Sequence, residues 1–456
     1  MRILSQNDYL TRCLILISTF VFNIAQTHAA QEDVNQKSGN VVQDSLTEKE
    51  RSNDLLQEYV SEAVSSNSGL KASFEVYRAA KQDIRSIGTL PDPKFTYANF
   101  IRSVETRVGP QEHKFGITQA FPWFGTLSLK SEIADDGARS LLYRFEAERL
   151  SLIQKVKHTF YDGYYLDRSI NIIHQNLELI SNLERVTRSR YRTGVGQFSD
   201  VIRSQVELEK LKDQLTTTRD LKIPLAERFK ALLNRPSKEA IIWPTTIPTP
   251  REKGNISRVK ELLAQYNPQV KSLDALAERE QKNIRLAKKD GLPSFMLGFD
   301  YIVTGKAQAP IVDSGKDPIA AMITLDIPLW RGKYSAQVSE AKSNELAARK
   351  MREETLNQLY AELSQAVYEY SDAIRKIDLY QTNLIPKGKQ SFEATKRGYE
   401  AGKASFSDLI DSERLLLEFQ LAHEEALTKA NKAKASIDML VGVSSGADSK
   451  YQEKKQ

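Results

Sequence analysis

The chain has 456 residues, 40% hydrophobic and 27% charged, with a formal net charge of +6 and a mean hydropathy of −0.46. That balance excludes a thick globular core and suits long helices that solvate much of their surface, and the interleaving of basic with acidic residues excludes a nucleic-acid surface. The single cysteine, Cys13, excludes an intrachain disulfide and a cysteine-type zinc site.

Residues 1–29 read as a secretory signal. Arg2 and Arg12 supply a basic start, Leu14 to Ile24 an apolar run, and Thr27-His28-Ala29 small residues near a cleavage point. The run is too short to span a bilayer. Leu10-Thr11-Arg12 ahead of Cys13 offers no lipidation signal. A polar segment, 30–47, follows.

From there the chain repeats itself. Tyr191-Arg-Thr-Gly194 with Phe198-Ser-Asp200 returns as Tyr399-Glu-Ala-Gly402 with Phe406-Ser-Asp408, 208 residues later and without a gap. Leu90-Pro91 returns as Leu292-Pro293, and Pro122 with Trp123 as Pro328 with Trp330. Matches in one order at nearly one offset mark a duplication rather than a solenoid. The first repeat, 48–242, is expected to hold a helix at 48–88, strands at 93–101 and 114–121 joined by a polar loop, a very long helix at 126–192, a glycine turn, and a helix at 197–233. A proline-rich linker, 243–254, follows, extended because proline and the residue before it resist helix. The second repeat, 255–442, is expected to hold a helix at 255–290, strands at 295–303 and 319–327, and helices at 333–399 and 404–442. A polar tail, 443–456, closes the chain. Helices of some 65 residues reach on the order of 100 Å, so they must pack side by side. Pro224 and Pro386 fall inside helical patterns and should open them locally.

The strands bear on location. Each is about nine residues, enough for a tilted strand to cross a membrane. Phe295, Leu297, Phe299 and Tyr301 alternate with Met296, Gly298 and Asp300, so one face suits lipid and the other water. Tyr97, Phe100, Phe121, Trp123, Phe124 and Trp330 lie near strand ends, where aromatics meet the lipid boundary. Two soluble hairpins packed on the helices are the alternative. If the strands do span, an open edge in lipid is untenable and four strands are too few to close. Copies must then share a barrel: two would fill an eight-strand barrel with side chains, and three would make twelve strands with room for a pore.

Two copies of helix, strand pair, long helix, glycine turn and helix, with the turn sequences YRTGVGQFSDVI and GYEAGKASFSDLIDSE, resemble the TolC-type outer-membrane efflux protein family. Leu292-Pro293 and Leu384-Ile385-Pro386 add to the likeness, which covers about residues 50–442. The resemblance implies a mainly α fold with a membrane β-barrel part: a homotrimer with a twelve-stranded barrel in the outer membrane and a long α-helical tunnel in the periplasm. It also implies docking to a periplasmic adaptor and an inner-membrane pump, in tripartite efflux or type I secretion. Barrel and trimer contacts alone would anchor it in outer-membrane lipid.

The family often carries acidic residues after the second tip glycine, and Asp408 and Asp411 match them. Three apart, they share a helix face, and in a trimer they would make two carboxylate rings that attract cations. A helix cap is the other role open to Asp408. Asp200 is its first-repeat counterpart, while Arg203 stands opposite Asp411 and could link to carboxylates to hold the tip closed. Some members place arginine where this chain has Ala404, beside Lys403, so the latching cation is open. Tyr191, Gly194, Tyr399 and Gly402 complete the expected tip. Nothing in the sequence points to an enzyme, a cofactor or a metal site. No pair among His28, His113, His158, His174 and His423 has chelating spacing, and no phosphate loop follows a strand. The competing reading is a periplasmic coiled-coil scaffold without a pore.

Overall fold

The computed structural model describes residues 50–236, 238–250, 256–308 and 310–442. The expected signal, the segment 30–47 and the tail 443–456 lie outside them.

The first helical stretch is broken rather than continuous. Helix α1 (50–66) and α2 (Ser68–Ile87) meet at Asn67. The Asn67 side chain accepts from the Leu70 N–H at 3.1 Å, which ends one helix and caps the next. Its amide nitrogen donates to the Leu232 carbonyl at 3.1 Å. The hairpin β1 (Lys94–Thr106) and β2 (Gly109–Phe121) is longer than the apolar alternation predicted. Residues 102–113, expected as a polar loop, mostly belong to the strands. Charged side chains interrupt an apolar pattern, but ladder pairing is a property of the backbone, and it continues past a bulge between Asn99 and Val104.

Helix α3 (Thr126–Arg192) runs unbroken for 67 residues. Helices α4 (Phe198–Asp220) and α5 (Lys222–Leu233) divide at Leu221, three residues before Pro224, whose missing N–H leaves the turn above it unbonded. The described part of the proline-rich connector, 243–250, is extended, and with Ile242 just before it is also docked. The Tyr59 hydroxyl bonds both the N–H and the carbonyl of Ile242, and the Trp243 ring lies 5.3 Å from that of Phe229. Trp243 presses on α3 at Gly163, where a Cβ would fall 1.9 Å from the indole.

The second half follows the same order. Helices α6 (Ile256–Tyr266) and α7 (Pro268–Asp290) break at Asn267, which accepts from the N–H groups of Gln269 and Val270 and donates to the Leu440 carbonyl at 2.8 Å. Strands β3 (Ser294–Thr304) and β4 (Ile319–Asp326) follow. The expected single helix 333–399 has three parts: α8 (Arg331–Leu379), a π-helical turn (Tyr380–Leu384) and α9 (Ile385–Glu400). The widened turn sits directly before Pro386, with the Ile385 N–H reaching back five residues to the Tyr380 carbonyl. Helix α10 (Phe406–Val441) completes the set.

All four strands join one antiparallel sheet in the order β1-β2-β3-β4, so the halves meet at the β2–β3 pair. The core is a string of clusters rather than one mass. One gathers Tyr59, Val156, Phe160, Phe229, Leu233 and Ala430, a second Ile173, Ile180, Leu211, Phe406 and Leu409, a third Leu263, Val270, Leu363 and Leu440. Each fully buried large side chain contributes about 1.5–3 kcal/mol. Spread along a rod, this explains how 40% hydrophobic residues suffice. Among the described residues, no helix is long and apolar enough to cross a membrane.

Candidate functional site

Two regions are candidates: the sheet, and the pair of glycine turns where the long helices end. In the sheet, strand register sorts side chains cleanly. Phe95, Ile117, Phe299 and Ala321 pair across the four strands in one row, and Tyr97, Phe115, Tyr301 and Ile319 in the next. Most of this face is exposed. The alternate rows hold Thr96, Gly116, Asp300 and Ala320, and Lys94, Thr118, Gly298 and Met322. This second face carries a Lys114–Asp300 ion pair, with Asp300 buried. Gly116 makes room for it, since a Cβ there would lie 2.5 Å from an Asp300 oxygen. The outer strands β1 and β4 have no neighbour on their free sides among the described residues, and β4 is exposed along its whole length.

The glycine turns are built alike. In the first, Gly194 (φ +76°) donates to the Tyr191 carbonyl, while Val195 and Gly196 both donate to that of Arg190. In the second, Gly402 (φ +71°) donates to the Tyr399 carbonyl, while Lys403 and Ala404 both donate to that of Gly398. A Cβ on Gly194 or Gly402 would touch nothing, so the left-handed backbone alone requires glycine there. An aromatic pair brackets each turn: Tyr191 with Phe198 at 5.4 Å, and Tyr399 with Phe406 at 5.6 Å.

Beyond the backbone the turns differ. In the second, Ser405 and Asp408 form a reciprocal capping box: the Ser405 hydroxyl accepts from the Asp408 N–H, and the Asp408 carboxylate accepts from the Ser405 N–H and hydroxyl. These bonds, the side-chain one foremost, hold the Asp408 carboxyl below the usual range. Asp408 thus caps its helix while remaining exposed. The first turn has Gln197 in place of Ser405 and makes no side-chain cap. Its Asp200 is pushed above the usual range by burial, against the pull of Arg203 and Arg190.

Arg203 donates to the Ser407 hydroxyl, so within the protomer it reaches a serine rather than a carboxylate. Asp411 is exposed, 3.4 Å from Arg414, whose guanidinium also grips the buried Glu207 of α4. Lys403 lies exposed on the turn. Reading the sequence missed Arg190, which donates to the carbonyls of Tyr399 and Glu400 at 3.0 and 3.1 Å and lies 4.8 Å over the Tyr399 ring. It also missed Glu413, Glu207 and Arg414, whose cluster falls on helix faces with no turn or motif to mark them. A polar seam farther up α3 was equally hidden: Tyr164 donates to Glu424 at 2.6 Å, Arg168 joins the same carboxylate, and Lys432 pairs with Asp162. Burial alone would raise the Glu424 carboxyl, but His423, Tyr164 and Arg168 together hold it below its ordinary value. Among the described residues, no group of histidines and carboxylates is arranged to hold a metal.

Known proteins resemble this chain in sequence and in fold. Residues 259–443 match the family described as outer membrane efflux protein. The toxin and drug export protein A of Aggregatibacter actinomycetemcomitans is 22% identical over 222 residues, 48% of each chain. The pyoverdine export outer membrane protein OpmQ of Pseudomonas putida is 20% identical over 334 residues, 71% of this chain and 68% of that one. The match therefore spans about half the length of the first relative. In structure, the outer membrane protein VceC of Vibrio cholerae superposes with a TM-score of 0.73 at 16% identity, over 87% of this chain and 98% of that one. That likeness shows the fold, and the family match bears out the resemblance read from the turn motifs.

Proposed function

We propose that this chain, whose residues 259–443 belong to the outer membrane efflux protein family, is one protomer of a trimeric export channel. The family and the fold are those of outer-membrane channels, which are not enzymes. The chain gives passive exit across the periplasm and outer membrane to cargo delivered by an inner-membrane pump through a periplasmic adaptor, in a tripartite efflux or type I secretion system.

The observation that carries this reading is the sheet. It has an apolar face in register across four strands, a polar opposite face, and two free edges. Free edges in lipid leave unpaired N–H and C=O groups, each costing several kcal/mol. Three copies joined edge to edge close twelve strands around a lumen wide enough to conduct. Helices α3 and α8–α10 then continue the tunnel for about 100 Å into the periplasm.

At the tip, Asp408 and Asp411 form carboxylate rings in the trimer. The lowered pKa of Asp408 supports a charge that persists at neutral pH while the same group caps α10. Asp200, Arg203 and Lys403 stand beside them as latch candidates, on turns set by Gly194 and Gly402 and flanked by Tyr191 and Tyr399.

The test is direct. Protein extracted in detergent should have the mass of three chains, and it should conduct ions in a planar bilayer. A monomer without conductance would sink the reading in favour of a scaffold. In the conducting protein, Asp408→Asn with Asp411→Asn should lower cation preference, Asn being chosen to retain the cap. Unchanged selectivity would remove the rings from the account.

A further inference from the structure

The duplication makes the two tips comparable residue by residue, at an offset of 208. Tyr399, Phe406 and Ile410 of the second half are 5, 1 and 5% exposed, covered by side chains of α3 and α4. Their first-half counterparts Tyr191, Phe198 and Ile202 are 47, 57 and 43% exposed. The same aromatic pair and the same turn are thus covered in one half and bare in the other. In a ring of copies, what covers a bare first half is the second half of the next copy, by the contact that α3 and α4 already make with α9 and α10 inside one chain. This step rests on the trimer proposed above.

Contacts inside the chain then have counterparts between chains, each residue shifted by 208. The Arg414–Glu207 ion pair becomes Val206 of one copy against Leu415 of the next. Both residues are apolar, and both are exposed in the protomer. Arg190, which clasps the Tyr399 turn, becomes Gly398, which has no side chain to reach the bare Tyr191.

Local packing explains the exchange. The residue whose carbonyl receives two N–H groups and the residue six positions later crowd one another. A Cβ on Gly196 would lie 3.0 Å from the Arg190 side chain, and one on Gly398 would lie 3.1 Å from Ala404. Each turn therefore keeps a glycine at one of the two places, and only the first keeps the arginine.

We infer that the tip ring has two unlike seams, one clasped by charge inside each protomer and one apolar and unclasped between protomers, and that it opens at the second. The two kinds of opening differ in cost. Parting Arg414 from Glu207 strands a buried carboxylate, whereas sliding Leu415 off Val206 and uncovering Tyr191, Phe198 and Ile202 wets apolar side chains and strands no charge. Each protomer's paired tips move as one block, so the pore parts into three units rather than six.

The experiment uses the full chain with Cys13→Ser, in four variants, each checked for trimeric mass. The first, Val206→Cys with Leu415→Cys, should form interchain disulfides on oxidation, seen as dimer and trimer bands on a non-reducing gel. The second, Glu207→Cys with Arg414→Cys, should cross-link within one chain. The third, Val206→Glu with Leu415→Glu, sets like charges across the seam between protomers. The fourth, Arg414→Ala, unclasps the seam within one. Bilayer conductance of the glutamate pair should exceed that of the first variant, oxidised, by tenfold or more. Conductance of Arg414→Ala should stay within twofold of that of the second variant, oxidised. Comparing forced-open with locked forms makes the result independent of the resting state.

The inference is overturned if the thiols of the first variant do not join chains in protein that is trimeric. It is equally overturned if the seam inside the protomer governs conductance as strongly as the one between. A protein that is monomeric and silent instead overturns the trimer reading itself, so the two failures are told apart.

Discussion

Glu413 lies on α10 just above the second tip, 1% exposed, with neither carboxylate oxygen hydrogen-bonded. Burial, and then the charge of Glu207, push its carboxyl up to about 7, with Arg414 pulling only partly the other way. A carboxyl whose pKa is higher in the folded than in the unfolded chain makes the native state the better proton binder between the two values. Stability from this group is full below pH of about 4.5 and is lost as the pH rises through about 7, the reverse of an ordinary paired carboxylate. Glu413→Gln should therefore stabilise the protein at pH 8 by on the order of 3 kcal/mol and flatten its stability between pH 4.5 and 7. Urea unfolding across that range checks it, and an unchanged slope would assign the pH dependence elsewhere. The counterpart of Glu413 in the first half is Gln205, so the same helix site already carries glutamine once.

At the scale of elements, the two asparagine breaks matter most. Asn67 and Asn267 each end a helix, cap the next and tie it to a carbonyl, Leu232 in one half and Leu440 in the other. Asn267 is buried and Asn67 half-buried, so water can replace the lost bond only at the latter. Asn267→Ala should cost about 2–4 kcal/mol, a cap plus a stranded carbonyl, and Asn67→Ala about half that. Paired chemical denaturation curves would show the difference. These breaks were legible in principle, since asparagine followed three residues later by Leu70 or Val270 and then by Lys71 or Lys271 is a further match between the halves. The apolar pattern runs through both and so does not mark them. The extent of α3 could be read from its length of helical pattern and the glycines at each end, and Pro386 pointed to the widened turn. Strand lengths were harder, because ladder pairing outruns apolar alternation at residues 102–113. The Arg190 clasp and the Arg414–Glu207 link could not be read at all. They join residues some 210 positions apart, and only packing of α3 and α4 on the second half brings them together.

For the molecule as a whole, the two faces of the sheet should respond oppositely to charge. Ile323 lies at mid-strand in a row with Leu297 and Gln119, and Thr324 next to it faces the other way, opposite Met296. Ile323→Arg should destabilise the folded barrel in lipid vesicles by about 2–4 kcal/mol, while Thr324→Arg should fold nearly as well as the parent and alter ion selectivity. Equal tolerance of both would place the sheet outside the bilayer. The helical part should be indifferent to either change, since its clusters share no side chain with the strands.

The free edges of β1 and β4 also have a genetic consequence. In the trimer proposed above, each seam between β1 and β4 joins two chains, so no healthy third can work alone. When a cell makes equal amounts of a normal chain and one that inserts but cannot close, random mixing leaves only about one assembly in eight free of the defect. Alleles that damage the strand edges should therefore be dominant over a normal copy. Alleles that keep the chain from leaving the cytoplasm should be recessive, because those chains never reach the place where assembly occurs.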